Sequence, residues 1–456
     1  MDQSTEEKEE TKKTYGRMFW FRCFYVTVFV FFMGWLISKI TDLKLFNAFD
    51  PVSQALGQFQ LTDYVFSNLR ELPDPDERVV LVNIGNLSRG EIAQELRIIS
   101  KYKPKVIGID GFFNCEGGLR DSMNCPQLLD TMGNLMLSDA IQQAGNVVLV
   151  SKLLQKTTTA LHPPDIENYY DSLETSDPIF SDYAGRGFAN LPTDANYQED
   201  IKECRSLIPK SILNKKYEYA FSVMLAMKYD SLKTMKFLSR HNDEELINFR
   251  GNAETVDVRL KTLEGQELEQ SHFRLLCYDI DWPAVMTEDF DPKLFKDKIV
   301  LMGFLGDHFG DPAWEDKYFT PMNKAVAGRA NPDMFGPVIH ANSIIMILNQ
   351  DYIGQLYDWQ KTAIAIILCF LTVALFIVID EDRRTSIWYD ALSVIIQVVQ
   401  ILVISAVIVF CFASFTIKLD LTLAITITAL VGPCYDILKP MQKFIERPFT
   451  KKEAQV

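Results

Sequence analysis

The sequence predicts an α/β domain of three layers with a mainly parallel central sheet, joined to four transmembrane helices, one N-terminal and three C-terminal. Two observations predict this architecture. Long apolar runs lie near both ends of the 456-residue chain, and between them short β-branched runs alternate with segments of helical periodicity. The formal net charge of −14 argues against nucleic acid as a partner, because phosphate binding requires clustered Lys and Arg.

The first apolar run extends from Phe19 to Ile37 and predicts a transmembrane helix over residues 19–39. Its length of about 19 residues matches the roughly 20 that cross a hydrocarbon core. A cleaved signal peptide is the alternative, but the run is too long for one and no A-x-A-like site follows it. We therefore expect a membrane anchor that follows a cytoplasmic tail, residues 1–18.

Further apolar segments predict three helices near the C-terminus, over residues 358–380, 391–415 and 419–438. Only the short turn TIKLD separates the last two. Lys and Arg cluster in the N-terminal tail, in the predicted loop 381–390 and in the tail 439–456. By the positive-inside rule both termini are then cytoplasmic, and residues 40–357 form an extracytoplasmic domain.

Polar residues inside the predicted spans are few. Gln397 and Gln400 lie in the third span, and Gly432-Pro433 interrupts the fourth. A glutamine pair of this kind is typical of hydrogen bonds between membrane helices. A transporter would show more charge and more Gly or Pro breaks at mid-membrane depth, so that interpretation is disfavoured.

The extracytoplasmic segment begins with a predicted strand–helix–strand unit. The β-branched run RVVLVNIG predicts a buried strand over residues 78–85, and KVIGID predicts another over residues 105–110. Apolar residues recur at helical spacing between residues 88 and 102, where Ser88 and Glu91 form a capping box. A unit of this length predicts two parallel strands.

The same alternation continues along the chain. Strands are predicted over residues 146–153, 246–251 and 297–304, and helices over residues 135–144, 220–228 and 340–348.

Four cysteines lie in the predicted extracytoplasmic domain: Cys115, Cys125, Cys204 and Cys277. An extracytoplasmic space permits disulfides, and four cysteines allow three connectivities. Because Cys115 and Cys125 enclose a short polar loop, their pairing is favoured. The alternative is that all four are reduced.

Polar residues end the first two predicted strands. Asp110 ends the second, and Asn83 nearly ends the first. Such residues line the crevice at which parallel sheets bind ligands, so both are candidate ligand-binding residues. The alternative for Asp110 is that its side chain caps the following turn, FFNCEGG, by hydrogen bonds to the backbone.

The glycine-rich loop GFLGDHFGD, residues 303–311, follows another predicted strand. It contains no Lys and does not match a phosphate-binding loop of the G-x-x-x-x-G-K type. Asp307 and Asp311 are candidate ligand-binding residues, and with neighbouring acids they offer oxygen ligands for a divalent cation. Their spacing does not match an EF-hand, so a solvated surface loop is favoured and no metal site is predicted.

His340 lies at the start of a predicted helix and is a further candidate ligand-binding residue. The alternative is a structural histidine that fixes the helix to the loop 307–311. The sequence contains no G-x-S-x-G elbow, no H-E-x-x-H and no cysteine flanked by a plausible base. We therefore expect neither catalysis nor a cofactor.

Several segments, taken in order, resemble the type-2 CHASE domain, the extracellular sensor of bacterial cyclases and histidine kinases. The matching segments are residues 63–88, 103–113, 185–196, 247–251, 298–311 and 334–348. The layout of one span before the domain and several after it is also similar to the family. Where the family usually carries an acidic pair after its first strand, this sequence has Gly85 and Asn86.

The resemblance implies a non-enzymatic sensor in the inner membrane of a bacterium, with its large domain in the periplasm. Only about 17 residues follow the fourth span, so no attached effector is expected and the signal would pass to a separate cytoplasmic protein. The expected partners are membrane lipid, other membrane or envelope proteins, and that effector. The alternative is a structural scaffold or docking subunit of a multi-protein envelope complex.

Overall fold

A computed structural model describes residues 17–41, 60–70, 74–114, 130–154, 170–193, 202–253, 275–309, 311, 316–323, 331–382 and 385–453. The chain divides into two units. One comprises Met1–Gln54 with Gly354–Val456, and the other is Ala55–Ile353. We refer to the first as the membrane unit and to the second as the α/β unit.

The helices, in chain order, are α1 Arg17–Thr41, α2 Leu61–Tyr64, α3 Arg89–Lys101, α4 Thr131–Ala144, α5 Pro178–Ser181, α6 Phe221–Tyr229, α7 Ser231–Leu238, α8 Trp282–Met286, α9 Gly336–Asn349, α10 Asp358–Glu381, α11 Tyr389–Phe415 and α12 Thr422–Glu453.

The strands are β1 Asp76–Asn83, β2 Val106–Asp110, β3 Val147–Leu154, β4 Ser172–Thr175, β5 Gly185–Phe188, β6 Ser206–Leu207, β7 Lys210–Leu213, β8 Lys216–Tyr219, β9 Glu245–Leu246, β10 Cys277–Asp281, β11 Ile299–Gly303, β12 Lys317–Tyr318, β13 Met334–Phe335, β14 Gly354–Gln355 and β15 Ile417–Lys418.

The central sheet has seven strands, in the order β10-β1-β11-β2-β3-β4, with β5 also paired to β3. All of its pairings are parallel except that of β3 with β4. The mainly parallel α/β sheet predicted from the sequence is therefore confirmed. The two strands of the first predicted unit, β1 and β2, are parallel but not adjacent, because β11 lies between them.

Helices cover both faces of the sheet, which gives the predicted three layers. On one face Val80 and Val82 pack in a core with residues of α3 and α4. On the other face a side chain at Gly108 would meet Leu225 of α6 at 2.6 Å, and one at Gly303 would meet Pro337 of α9 at 2.5 Å. Glycine at these two positions therefore lets α6 and α9 approach the sheet closely.

Helix α3 has the predicted N-terminus. Ser88 is its N-cap and accepts a hydrogen bond from the Glu91 amide, while the Glu91 carboxylate accepts one from the Ser88 amide. This reciprocal capping box stabilises the start of the helix.

One predicted strand is wrong, and three strands of the central sheet, β4, β5 and β10, were not predicted. The predicted strand 246–251 is largely absent. The strand observed here is Glu245–Leu246, which pairs with β6 outside the central sheet. Further along the segment the backbone bonds to α9 instead of to a strand, since the Arg250 amide donates to Asn342 Oδ1 at 2.8 Å. Strand β10 was not predicted, because it lies at the sheet edge and its residues are only partly buried.

Among its described residues, the membrane unit contains four helices long and apolar enough to cross a membrane: Phe19–Lys39, Asp358–Glu381, Ser386–Phe415 and Thr422–Pro440. Gln397 Nε2 donates to the carbonyls of Thr428 and Ala429, at 3.1 and 3.0 Å, and so joins α11 to α12. Gly432 makes room for this contact, because a Cβ there would lie 3.0 Å from Gln397 Oε1. The prediction that the glutamines link membrane helices is confirmed for Gln397.

Gln400 also links two helices, since its Nε2 donates to Thr372 Oγ1 of α10 at 3.0 Å.

The disulfide prediction is not supported where the structure describes it. Cys204 and Cys277 are both buried free thiols. Cys204 Sγ donates to the Ser206 carbonyl at 3.6 Å, and burial raises the pKa of its thiol to about 12. These two residues are therefore core thiols and not disulfide partners. Cys115 and Cys125, the favoured pair, lie outside the described residues.

Candidate functional site

The carboxyl ends of four neighbouring parallel strands carry a row of aligned residues. Asn83 of β1 is in register with Asp281 of β10 on one side and with Gly303 of β11 on the other, and Gly303 is in register with Asp110 of β2. This is the edge at which open α/β sheets bind ligands.

Asn83 is fully buried and acts as a clamp. Its Nδ2 donates to Asp281 Oδ1 at 2.8 Å and to the Gly306 carbonyl at 3.0 Å. Its Oδ1 accepts from the amides of Gly85 and Leu305, at 3.0 and 2.8 Å. All of the amide's hydrogen-bonding capacity is thus used within the protein. Asn83 ties the end of β1 to β10 and to the loop after β11.

The loop that follows β11 is closed by its own side chains. The Asp307 amide donates to Asp311 Oδ2 at 2.9 Å, and Asp307 Oδ1 accepts from Asn86 Nδ2. The backbone at Gly85 has a φ of +47°, and a Cβ there would lie 3.0 Å from the Asp307 carbonyl. Glycine at the first position of the expected acidic pair therefore allows this loop to lie against β1.

Asp307 and Asp311 serve the loop and do not converge with the other candidates on one point. Within the described ranges no group of three or more His, Cys, Asp or Glu is placed to hold a metal ion.

Asp110 and His340 are brought together from opposite parts of the chain. His340 Nε2 lies 3.9 Å from Asp110 Oδ2, with 5% of the histidine side chain and 18% of the aspartate side chain exposed. That distance is too long for a hydrogen bond. His340 therefore faces Asp110. No hydrogen bond joins it to the described residues of the loop, 307–309 and 311, so the structure does not support the alternative role of fixing that loop.

Burial changes the protonation of both groups. Burial and, to a smaller extent, the negative charge of Asp316 together raise the pKa of Asp110 to about 7. Burial lowers the pKa of His340 to about 4. The histidine is therefore neutral at pH 7, and the aspartate is close to half ionised there.

The residues around this pair are a glycine and two aromatic residues. Gly336, the first residue of α9, presents no side chain, and a Cβ there would lie 3.7 Å from Asp110 Oδ2 and 3.9 Å from the Tyr318 ring. The Phe221 ring meets the imidazole of His340 edge to face, with 5.4 Å between centroids. We refer to Asp110, His340, Gly336, Tyr318 and Phe221 as the carboxyl-edge site.

Sequence reasoning missed several residues here. Tyr318 and Phe221 carried no signal, since only the fold brings them to Asp110. Glu95 carried one, because it shares helical spacing with the buried residues Ile92, Leu96 and Ile99. Its carboxylate is fully buried and makes no hydrogen bond among the described residues. Burial, and then the charge of Asp281, raise the pKa of Glu95 to about 8.

A second polar cluster lies beyond the C-terminal end of α9. Arg250 forms an ion pair with Asp351, and Asn248 Nδ2 donates to the Asp351 carbonyl at 3.0 Å. Asn248 Oδ1 in turn accepts from Arg70. We call these four residues the junction, because Arg70 lies in the segment that follows the first candidate span and Asp351 shortly precedes the second.

Comparison with protein families matches residues 29–377, about three quarters of the chain, to the family described as CHASE2 domain. Among curated proteins the chain has no match, and among solved structures it also has none.

Proposed function

Because this chain belongs to the CHASE2 family, whose domain is an extracellular sensory domain and not a catalytic one, we propose that it is a non-enzymatic membrane sensor. Its extracellular domain recognises a ligand at the carboxyl-edge site and passes the signal along α9 to the junction. From there the signal reaches the membrane helices and a separate partner protein.

The observation that carries this proposal is the position of α9. Its first residue, Gly336, and His340 belong to the carboxyl-edge site, and Asp351 of the junction follows its last turn. The helix has 14 residues and so spans about 21 Å at 1.5 Å per residue. All of its residues from Pro337 to Leu348 are buried, so a displacement at one end is transmitted by a packed, rigid element.

A double-mutant cycle tests the relay. Asp110→Asn alters the carboxyl-edge site at a residue that is not part of α9, and Asp351→Asn breaks the ion pair of the junction. The unfolding free energies of the single and double variants, measured on the full chain in detergent, should be non-additive by at least about 0.5 kcal/mol. Sites this far apart that are not coupled add within roughly 0.3–0.5 kcal/mol, and additivity would contradict the relay.

Asp307→Asn is the matched control for the cycle. It makes the same chemical change at the same edge of the sheet, in the loop closed on Asp311 and outside α9. Its effect should add to that of Asp351→Asn.

The orientation in the membrane is part of the proposal. We place residues 1–18, 381–390 and 439–456 in the cytoplasm of a bacterial cell and residues 40–357 in the periplasm, because Lys and Arg concentrate in the first three segments. Fusions of alkaline phosphatase should be active after residue 357 and inactive after residues 18 and 385. Activity in the reverse pattern would refute the orientation.

The output partner is also a proposal. Helix α11 is the least covered of the four candidate spans, with 11% of its most apolar window buried, so lipid or another membrane protein covers the remainder. Purification of the tagged chain from its host in mild detergent, followed by mass spectrometry, should recover a signalling protein at low occupancy. A fixed stoichiometric set of envelope proteins would instead favour the scaffold alternative.

A further inference from the structure

We propose that the carboxyl-edge site binds a compound with a primary ammonium group, which lies between Asp110 and His340. This inference rests on the sensor function proposed above and names the class of ligand.

The carboxylate of Asp110 has no cationic partner among the described residues. In the part of the chain that the structure describes, no Lys or Arg pairs with it, and the one basic group within 4 Å is His340. That imidazole is neutral at pH 7 because burial lowers its pKa to about 4. A largely buried carboxylate is normally paired or hydrogen-bonded. The site is therefore an incomplete ion pair, which a cationic ligand completes.

The imidazole of His340 also has no hydrogen-bond partner among the residues that the structure describes. Its side chain is 5% exposed, and neither ring nitrogen makes a hydrogen bond to any described residue. A polar side chain buried to this degree usually has a partner. The nitrogen of a ligand placed between Nε2 and Asp110 Oδ2, which are 3.9 Å apart, reaches both at about 2.8 Å, an ordinary hydrogen-bond distance.

Hydrogen-bond chemistry favours a primary ammonium group over other cations. Its three N–H groups donate in different directions, so one bonds to the carboxylate and another to the acceptor nitrogen of the neutral imidazole. A quaternary ammonium ion has no N–H and can satisfy neither. The rings of Tyr318 and Phe221 border the same site.

An anionic ligand is disfavoured at this site even though the N-terminus of α9 points there. Asp110 lies at that helix end, and Asp316 is close enough to raise the pKa of Asp110 through its charge. Pro337, the second residue of α9, has no amide hydrogen to offer. A ligand anion would meet two carboxylates there.

The probe is ethylammonium chloride, added to the full chain in detergent micelles at pH 8, where Asp110 is ionised. Ethanol is the neutral analogue, tetramethylammonium chloride is the cation without N–H groups, and sodium chloride keeps the ionic strength constant. We expect a saturable rise in Tm with ethylammonium alone. In Asp110→Asn, and in His340→Phe as a second variant, the apparent dissociation constant should increase at least tenfold, while Asp307→Asn should leave it unchanged.

Failure of this proposal is distinct from failure of the sensor function. An absent response to ethylammonium, an equal response to ethanol, or unchanged affinity in Asp110→Asn would overturn the ligand class. If the double-mutant cycle then still shows coupling between Asp110 and Asp351, the sensor function stands without that ligand. Saturable, Asp110-dependent binding with an additive cycle would uphold the ligand class and overturn the relay.

Discussion

Replacement of Asp110 by Asn should change how the stability of the protein depends on pH. The folded state raises the pKa of this carboxyl from 3.8 to about 7, so it favours the protonated form. The contribution of Asp110 to the free energy of unfolding is therefore at its full value below pH 3.8 and is lost as the pH rises through 7. Asn keeps a neutral side chain at every pH. The variant should therefore gain stability relative to the wild type as the pH rises.

The size of the effect follows from the two pKa values. The difference between 3.8 and about 7 corresponds to about 4 kcal/mol in total, of which roughly 2.5 kcal/mol falls between pH 5 and pH 8. For a unit of about 300 residues, Ala55–Ile353, that free energy corresponds to a change of about 4 °C in Tm. From pH 5 to pH 8, the Tm of Asp110→Asn relative to that of the wild type should rise by this amount.

His340 contributes the opposite slope and explains why the variant is needed. Its pKa falls from 6.5 to about 4 on folding, so its stabilisation is complete above pH 6.5 and is lost as the pH falls through 4. In the wild type the two slopes partly cancel between pH 4 and 6.5. Comparison with Asp110→Asn isolates the aspartate, because the histidine is present in both proteins.

The assay is thermal unfolding of the full chain in detergent, followed by tryptophan fluorescence from pH 5 to pH 8. Asp182→Asn is the control, since that carboxylate is exposed at the surface, and its curve should run parallel to that of the wild type. Parallel curves for Asp110→Asn as well would refute the burial of Asp110 and with it the incomplete ion pair.

Three further substitutions test other parts of the structure. Asn83→Ala removes four buried hydrogen bonds and should cost about 3 kcal/mol of unfolding free energy; a loss as small as that of the exposed Asn86→Ala would show that the clamp is not formed. Glu95→Met removes an unpaired buried carboxyl and should raise stability by about 1–3 kcal/mol at pH 8; a lower Tm would point to a partner for Glu95. Gly432→Leu should displace Gln397 from α12 and lower the Tm, and added Gln397→Ala should restore part of the loss; no rescue would mean that the two helices do not meet there.

The parts of the fold that could be predicted from the sequence are those governed by local patterns. The buried strands β1, β2, β3 and β11 are continuous apolar runs, and α3 carries its capping box. The order of the strands in the sheet could not be predicted from local patterns. Strand β11 lies between β1 and β2, although about 190 residues separate it from β2 in the chain.

The segment 246–251 shows why a strand-like pattern is insufficient. Its large apolar residues, Leu246, Ile247 and Phe249, predict a strand. The amides of Asn248 and Arg250 nevertheless donate to Met346 Sδ and Asn342 Oδ1 of α9. Side chains of a buried helix here supply the hydrogen bonds that a neighbouring strand would otherwise provide. The periodicity of the sequence does not show that side chains of a helix, and not a neighbouring strand, accept these hydrogen bonds.

The candidate site was predicted in part. The rule that polar residues at strand carboxyl ends meet at one edge found Asn83 and Asp110, but it gave them the same role. In the structure the side chain of Asn83 makes all of its hydrogen bonds within the protein. Asp110 accepts none from the described residues of the following turn, which it would cap in the alternative interpretation. The pairing of Asp110 with His340 depends on the packing of α9 over β11, where Gly303 meets Pro337, and this long-range contact leaves no local signal.

Hydrogen exchange of residues 346–353 shows whether ligand binding at the carboxyl-edge site reaches the end of α9. It is measured on the full chain in lipid nanodiscs, with and without saturating ethylammonium. In a sensor of the proposed kind the ligand changes the exchange rates of this segment at least twofold in the wild type and leaves them unchanged in Asp110→Asn. Saturation of the carboxyl-edge site with no change in exchange at this segment would contradict the proposed sensor function.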